Sequence, residues 1–357
     1  MTFRIVPRVA RSVTILALVA PSLASAQVER QTLSGDRVAI YNLAGKLRLQ
    51  AGTGSQVGIE VTRAGRDAAQ LKVQTGEIRG WQTLRVVYPA DRIVYPAMGF
   101  RSRTETHVNK DGTFDDGSDS DRGWFSRDRV EIRGSGSGLE AYADLVVSIP
   151  RGQRIAIHWG VGDATVSNVD GDIVVSVAAA SVTAEHTRGR LDLDTGSGEV
   201  SVTDAQGDVR LDTGSGRVTV NGVSGTTLDM DTGSGSIRAS DIDVKSLKAD
   251  VGSGGLRIDR VKAPRIDVDA GSGHVDLDIL SAIDDLRVDA GSGGITVRLP
   301  ASLSADVDIE TSRGGIDSDF ALETNRFERN HIRGRIGDGK GRIRIESGSG
   351  PVRLIKG

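Results

Sequence analysis

One stretch of the chain decides the fold: Leu191-Asp192-Leu193-Asp194-Thr195-Gly196-Ser197-Gly198-Glu199-Val200-Ser201-Val202. Apolar and polar residues alternate on both sides of its Gly-Ser-Gly triplet, and alternation with period two is typical of β-strands. The triplet recurs at spacings of 18, 19, 19, 19 and 20 residues, beginning at Gly214, Gly233, Gly252, Gly271 and Gly291. The sequence therefore predicts a tandem array of strand–corner–strand units.

A short strand–corner–strand unit cannot bury an apolar face by itself, so tandem copies must stack on one another. The predicted fold is all-β, a β-solenoid (parallel β-helix-like) with about 18–20 residues per coil and Gly-Ser-Gly corners. A sandwich of evenly spaced hairpins is the alternative. In the solenoid, one file of apolar side chains stacks inward: Leu211, Met230, Ala249, Val268, Val288 and Ile309.

Alignment of the repeats on the corner places two files of charged residues on the outer surface. The first file alternates in sign and consists of Asp192, Arg210, Asp229, Lys248, Asp267, Arg287 and Asp308, with Arg344 as a continuation. The second, the acidic file, consists of Asp194, Asp212, Asp231, Asp250, Asp269, Asp289 and Glu310. Because neighbouring strands lie about 4.8 Å apart, the alternating file favours parallel stacking in register. The acidic file needs counter-charges from basic neighbours, solvent ions or a bound cation, for which calcium is the candidate.

The repeat is less regular toward both ends of the chain, which gives the predicted organisation. We expect a signal peptide over 1–26, opening β coils over 27–95, an acidic Gly/Ser-rich insertion over 96–128, the main β-solenoid repeat domain over 129–320, and a basic C-terminal capping segment with the last coil over 321–357. The insertion lacks alternation and is predicted to be a mobile surface segment. Its stretch from Asp111 to Asp119 resembles a calcium loop, but it lacks the required spacing and closing glutamate, which favours a solvated loop.

The C-terminal segment is basic, since residues 326–357 hold nine Lys or Arg against three Asp or Glu. A hairpin that caps the last coil and pairs with the solenoid's carboxylates explains this composition. A contact surface for anionic envelope polymers or lipid head groups is the alternative. The candidate interaction residues are therefore the acidic file together with Arg333, Arg335, Arg342 and Arg344.

Composition excludes several classes of protein. The 357 residues include no cysteine, which excludes a disulfide scaffold, a thiol nucleophile, cysteine-ligated zinc or iron–sulfur centres, and a lipid-modified cysteine. A formal net charge of −3 argues against nucleic acid as a partner. Only 13 residues are aromatic while 46 are glycine, which fits stacked small and aliphatic residues better than an aromatic-packed globule.

The first 26 residues predict export. They combine three arginines and no acid with an apolar run from Val13 to Ala20 and the sequence Ala24-Ser25-Ala26, the pattern of a cleaved secretory signal peptide. A transmembrane anchor needs about 20 apolar residues, and this run ends at Pro21. We expect no transmembrane segment in the mature chain, and a periplasmic, cell-surface or secreted location.

Residue patterns typical of catalysis are missing from the sequence. The histidines lack metal-binding spacing, and no Gly-x-Ser-x-Gly nucleophile elbow occurs; the histidines are His107, His158, His186, His274 and His331. His158 falls in the acidic file beside Trp159, so we expect it at the surface. No catalytic, cofactor-binding or metal-ligating residue is predicted.

The chain resembles a bacterial family of secreted β-strand-repeat proteins of unknown function that carry the label "putative adhesin". The resemblance rests on the opening Arg37-Val38-Ala39-Ile40-Tyr41-Asn42, the span from Ala143 to Asp172, the Asp-Thr-Gly-Ser-Gly-x-Val repeats, and the closing Gly339-Lys340-Gly341-Arg342-Ile343-Arg344-Ile345. It implies attachment or an envelope scaffold, and no catalytic residues. The acidic insertion is less typical of the family.

Taken together, these patterns favour a non-catalytic exported repeat protein, an adhesin or cell-envelope scaffold that presents a long charged β surface. Its partner would be a cell-envelope or extracellular polymer or protein, with no cofactor. The alternative is a polysaccharide-processing β-helix enzyme, a lyase or hydrolase acting on acidic glycan. Such an enzyme should interrupt the repeat with long loops over one face, and only residues 96–128 do so.

Overall fold

The computed structural model describes residues 28–114 and 127–357. Within these ranges the chain forms strands and two single-turn 3₁₀ helices, Ala68–Gln70 and Pro96–Met98, and none of its helices is long and apolar enough to cross a membrane. The prediction of an all-β, β-solenoid-like fold is confirmed. The predicted signal peptide lies outside the described residues.

The strands follow one another with short connections. The first nine are β1 (Val28–Leu33), β2 (Arg37–Ala44), β3 (Leu47–Ala51), β4 (Val57–Ala64), β5 (Lys72–Ile78), β6 (Trp81–Val87), β7 (Arg92–Val94), β8 (Arg103–Asn109) and β9 (Arg127–Arg133). The central strands are β10 (Tyr142–Ile149), β11 (Gln153–Val161), β12 (Ala164–Ser167), β13 (Gly171–Ala179), β14 (Val182–Arg188), β15 (Leu191–Ser197), β16 (Val200–Gln206), β17 (Val209–Ser253), β18 (Leu256–Lys262), β19 (Arg265–Ser272), β20 (Val275–Ile279), β21 (Asp285–Ser292) and β22 (Ile295–Leu299). The last are β23 (Ala305–Thr311), β24 (Ile316–Ser318), β25 (Glu323–Glu328), β26 (His331–Ile336), β27 (Gly341–Ser347) and β28 (Val352–Lys356).

The central strands stack in parallel along two faces that enclose one hydrophobic core. On the first face the order is β2, β11, β13, β15, β17, β19, β21. On the second face it is β3, β12, β14, β16, β17, β18, β20, β22. The long strand β17, Val209–Ser253, contributes to both faces because it runs through more than two successive coils.

The opening strands depart from this regular pattern. Strand β6 extends the first face in parallel with β2, and β5 then pairs with β6 as an antiparallel hairpin. On the second face β10 lies between β3 and β4, and β4 pairs antiparallel with both β10 and β1. The N-terminal end of the stack is thus closed by antiparallel strands.

Strand pairing joins residues one repeat apart. Leu193 pairs with Leu211, Ala249 with Val268, and Val268 with Val288, which are offsets of 18, 19 and 20 residues. The predicted inner file is confirmed, since each of its six members is no more than 1% exposed. Alternation with period two therefore directs the aliphatic side chains into the core and the charged side chains outward.

The Gly-Ser-Gly corners are sites of close approach between coils. A Cβ atom on Gly254, which has a φ of +130°, would lie 1.6 Å from the carbonyl oxygen of Gly235. Only glycine fits at this third position of the triplet. The threonine before the triplet is buried, and Thr195 Oγ1 donates a hydrogen bond to the Ser197 carbonyl oxygen at 3.1 Å. At this corner the threonine hydroxyl thus bonds to the backbone carbonyl group, and the absence of a side chain on glycine allows the next coil to approach closely.

Residues around the predicted insertion form a small second sheet. Strand β9 pairs in parallel with β7 and antiparallel with β8, so part of residues 96–128 is regular strand where none was expected. Apolar residues of this sheet pack on the solenoid through Ile93, Phe114 and Ile132, which contact the cluster around Tyr41. Most of the sequence with likeness to a calcium loop lies outside the described residues; Asp111 Oδ1 accepts a hydrogen bond from Thr113 Oγ1 at 2.7 Å.

The C-terminal strands do not follow chain order. Strand β27 lies between β21 and β23, with parallel pairing on both sides, and β28 lies between β22 and β24 in the same way. The hairpin of β25 and β26 pairs antiparallel with β23 and ends the first face. The last strands of the sequence are therefore inside the stack, and an earlier segment forms its end.

Candidate binding surface

The acidic file runs along the first face as a row of directly paired carboxylates. Asp194 pairs with Asp212, and Asp269 pairs with both Asp250 and Asp289. Because β27 is inserted, Glu346 lies between Asp289 and Glu310, and the row has a member that the repeat alignment missed. The Gly-Ser-Gly at 348–350 marked a further coil but could not place it beside β21.

Like charges in this row change the acidity of its members. Burial and then the carboxylates of Asp212 and Asp250 raise the pKa of Asp231. Burial followed by Asp269 and Glu346 raises the pKa of Asp289. Neighbouring carboxylates of the acidic file therefore repel one another, but they remain partly exposed, so water and salt can screen this repulsion.

The alternating file is correct over most of its length and wrong at one place. Lys248 pairs with Asp267, and Asp267 with Arg287, as the charge pattern predicted. Arg287 then pairs with Arg344 rather than Asp308, so two guanidinium groups are neighbours. The alternation resumes between Arg344 and Asp308. Strand order, which the repeat spacing does not encode at this end, is the reason for the error.

A second column of charges, which the sequence alignment did not identify, alternates without a break beside the first. Successive strands β19, β21, β27, β23, β26 and β25 contribute Arg265, Asp285, Arg342, Asp306, Arg335 and Glu323. Opposite charges directly across a ladder stabilise the pair by about 0.2–1 kcal/mol each. This column supports the unusual strand order, because chain order would place Asp285 of β21 beside Asp306 of β23 and set two like charges together.

The structure brings the four candidate arginines together. Arg333, Arg335, Arg342 and Arg344 line an open depression of about 650 Å³ with Asp306, Asp308 and Glu323. We call it the arginine depression.

Two of these four arginines are already paired. Arg335 Nε donates to Asp306 Oδ1 at 2.9 Å, and Arg344 Nε donates to Glu346 Oε1 at 2.6 Å.

The other two arginines of the arginine depression, Arg333 and Arg342, make no direct ion pair among the described residues. Asp308 Oδ1 lies 2.9 Å from His331 Nε2, so this carboxylate pairs with the histidine rather than with Arg333 on the neighbouring strand. Neither Arg333 nor Arg342 forms an ion pair within 4.0 Å among the residues that the structure describes. The depression thus offers two exposed guanidinium groups that make no direct ion pair among the described residues, although Asp285 and Asp306 lie across the ladder from Arg342, and planar guanidinium is suited to carboxylate, sulfate or phosphate.

His158 is not at the surface, contrary to the prediction. It is 7% exposed, and its ring stacks on Tyr41 with 4.6 Å between centroids. Tyr41 in turn contacts Phe114 edge-to-face, so the small second sheet covers this end of the file. Across residues 28–114 and 127–357, no group of three or more His, Cys, Asp or Glu is arranged to hold a metal ion.

Comparison with solved structures finds likeness at low sequence identity. A putative cell adhesion protein from Clostridium sporogenes is 10% identical, with coverage of 93% of this chain and 99% of that one and a TM-score of 0.23. A putative adhesin from Bacteroides fragilis is also 10% identical, with coverage of 93% and 98% and a TM-score of 0.29. No curated protein matches the chain.

A family model gives the decisive comparison. It covers residues 131–354, from the last strand of the small sheet through β28, and so includes the whole central array. Its extent agrees with the resemblance expected from the repeats, whose recognition is thereby confirmed. The chain belongs to the Toastrack DUF4097 family, a family of unknown function.

Proposed function

We propose that this is a non-catalytic, exported adhesin-like or cell-envelope scaffold protein whose arginine depression binds anionic groups of an envelope or extracellular polymer. Each 18–20-residue repeat forms one coil with a Gly-Ser-Gly corner, and the stack holds the charged columns in fixed register. The chain is exported through a cleaved signal peptide and acts in the periplasm, at the cell surface or in the medium.

One observation carries this proposal: Arg333 and Arg342 are exposed, lie in one depression and form no ion pair among the described residues. An anionic group placed between them would gain charge-assisted hydrogen bonds without breaking an existing pair. Hydrogen bonds to charged groups contribute about 1.5–3 kcal/mol each. The acidic file beside the depression then favours ligands with spaced anions over a dense polyanion.

The distribution of carboxylates supports binding rather than acid–base catalysis. Asp231 and Asp289, whose pKa values are raised, are both members of a repeated row on a regular strand. A catalytic pair needs two groups whose environments separate their pKa values and whose positions flank a cleft. Here the perturbed groups have equivalent surroundings, which does not distinguish an acid from a base.

The test is binding of the mature chain to immobilised polygalacturonate, alginate and polyphosphate, with dextran as the neutral control, at low and high salt. Arg333→Gln and Arg342→Gln should each weaken binding by about tenfold, equivalent to about 1.4 kcal/mol. Arg353→Gln is the matched control, because Arg353 is exposed and free of ion pairs among the described residues but lies on the second face. Equal binding by all three variants would refute the site. Release of reducing or unsaturated sugars would instead establish the enzyme alternative.

A further inference from the structure

A row of backbone corners along the second face adopts the left-handed conformation. Its members have φ between +53° and +74° and are Asn168, His186, Asp204, Gly222, Asp241 and Arg260. Pairing passes over them, since Glu185 pairs with Thr203 and Thr187 with Ala205. A non-glycine residue in this conformation costs about 1–2 kcal/mol. Five of the six corners bear this cost, and their side chains form one exposed row along the stack.

Five of these corners, from Asn168 to Asp241, form one wall of a groove of about 670 Å³. The opposite wall is the row Asp170, Arg188, Gln206, Ser224 and Asp243. Buried Val169, Thr187, Ala205 and Val223 form the floor. From Ala51 to Asp241 the groove crosses six successive strands, which at about 4.8 Å a step gives a length of about 24 Å.

Gly222 leaves a notch in the middle of the groove. The row of corner side chains is interrupted there, and the Asp204 carboxylate leans over the glycine, since a Cβ atom on Gly222 would lie 2.7 Å from Asp204 Oδ1. Each of the carboxylates of Asp204 and Asp241 has a basic partner on a neighbouring coil. Asp204 Oδ2 lies 3.4 Å from His186 Nε2, and Asp241 Oδ1 accepts a hydrogen bond from Arg260 Nε at 2.7 Å. The notch is therefore flanked by two oriented acceptors.

The chemistry of the walls selects the ligand. Four aspartates face two arginines, Arg151 and Arg188, so the groove repels a polyanion. Its walls are polar or charged and its four buried floor residues are small, which does not fit a lipid chain. Asn168, Gln206 and the arginines supply donors beside the carboxylate acceptors, in rows that repeat every coil. A chain with a hydroxyl group at every unit can both donate to the carboxylates and accept from the amides and guanidinium groups.

We infer that this corner groove binds a neutral linear oligosaccharide that lies along the stack, with a substituent of one sugar in the Gly222 notch. The site is separate from the arginine depression and goes beyond the proposed function. The backbone that carries these side chains is held by the paired strands on either side of each corner, so the groove does not have to form when a ligand binds. The hydrogen bond from the Arg260 guanidinium lowers the pKa of the Asp241 carboxyl group, so this side chain serves as a hydrogen-bond acceptor.

The experiment titrates the mature chain with cellohexaose, xylohexaose and fully N-acetylated chitohexaose, all neutral, by calorimetry. Gly222→Asn fills the notch with a residue type that already takes this conformation at Asn168, so the fold should persist, and thermal unfolding verifies it. We expect at least one hexasaccharide to bind, and both Gly222→Asn and Gln206→Ala to weaken it by tenfold or more.

Arg342→Gln provides the matched control, because it changes the arginine depression and leaves the groove intact. It should leave hexasaccharide binding unchanged, while Gly222→Asn should leave binding to polygalacturonate unchanged. Three outcomes overturn the inference: no hexasaccharide binds at millimolar concentration, folded Gly222→Asn binds as well as the parent, or an unstructured peptide displaces the sugar from the groove. None of these outcomes bears on the arginine depression.

Discussion

Replacing Asp231 by asparagine is expected to stabilise the protein, whereas the same change at Asp267 is expected to destabilise it. Both are outward aspartates on neighbouring columns of the first face. The carboxylates of Asp212 and Asp250 act on Asp231, while Lys248 and Arg287 pair with Asp267. The two variants remove the same charge from opposite electrostatic surroundings, so all effects common to Asp→Asn substitution cancel in the comparison.

The magnitude follows from the strand spacing. Two unit charges at about 4.8 Å in water interact by about 0.9 kcal/mol. Screening at 0.15 M salt, where the Debye length is about 8 Å, reduces this to about 0.5 kcal/mol. With two neighbours each, the free energy of unfolding should rise by about 1 kcal/mol for Asp231→Asn and fall by about 1 kcal/mol for Asp267→Asn. In 1 M salt the difference of about 2 kcal/mol should fall below about 1 kcal/mol.

Urea unfolding followed by circular dichroism at pH 7 measures the two values at both salt concentrations. The pH dependence supplies an independent check. Because the pKa of Asp231 is raised on folding, the folded protein binds more protons than the unfolded one between the ordinary aspartate pKa of about 3.9 and the raised value. Stability therefore falls as pH rises through that window, and Asp231→Asn should flatten this slope. Shifts of the same sign in the two variants, or shifts insensitive to salt, would refute the assigned register.

Three further outcomes test the corners and the acidic file. Gly254→Ala should lower the free energy of unfolding by about 3 kcal/mol or more. Gly58→Ala is the control, because a Cβ atom there meets nothing within 4 Å, and it should change the free energy of unfolding by less than about 1 kcal/mol. Similar urea midpoints for the two variants would contradict the close approach of the coils. Thr213→Val should raise the free energy of unfolding by about 1 kcal/mol, since this buried hydroxyl lacks a hydrogen-bond partner among the described residues. Thr195→Val should lower it by a similar amount, because it removes a hydrogen bond to the backbone. Thermal melts of the two variants measure the difference. Millimolar calcium should leave the melting temperature of the mature chain equal to that in sodium at matched ionic strength, and a calcium-specific rise would identify the acidic file as a cation site.

The sequence predicts the parts of the molecule that depend on neighbouring repeats. Alternation around each triplet is a local signal, and it identifies the inward residues and the pairs such as Lys248 with Asp267. The position of Glu346 could not be predicted in this way, because it depends on which coil the last strand joins. The short alternation Arg129-Val130-Glu131-Ile132-Arg133 begins the predicted repeat domain and indicates a strand, but it could not show that this strand, β9, belongs to a second sheet.

For the candidate binding residues, too, the sequence shows the residue types but not the contacts that depend on distant strands. The basic character of Arg333 and Arg342 is visible in the sequence, but their freedom from ion pairs is decided by His331 and Asp308 in space. The burial of His158 arises from a second sheet whose packing no repeat encodes. The left-handed corners recur at regular spacing, yet their residue types vary too widely to be recognised without the backbone angles.

The inserted position of β27 bears on how the chain can be made. Ribosomes deliver residues 341–357 after residues 305–336, yet the later residues form the layer on which β23 and the hairpin of β25 and β26 rest. The segment from 305 to 336 must therefore wait, without its parallel partner, until β27 has been made. Loss of β27 and β28 would remove the support of two layers rather than one, so a truncated product would expose an open edge that invites pairing with other chains. Synthesis of β27 is in this way coupled to the folding of a segment that precedes it in the chain.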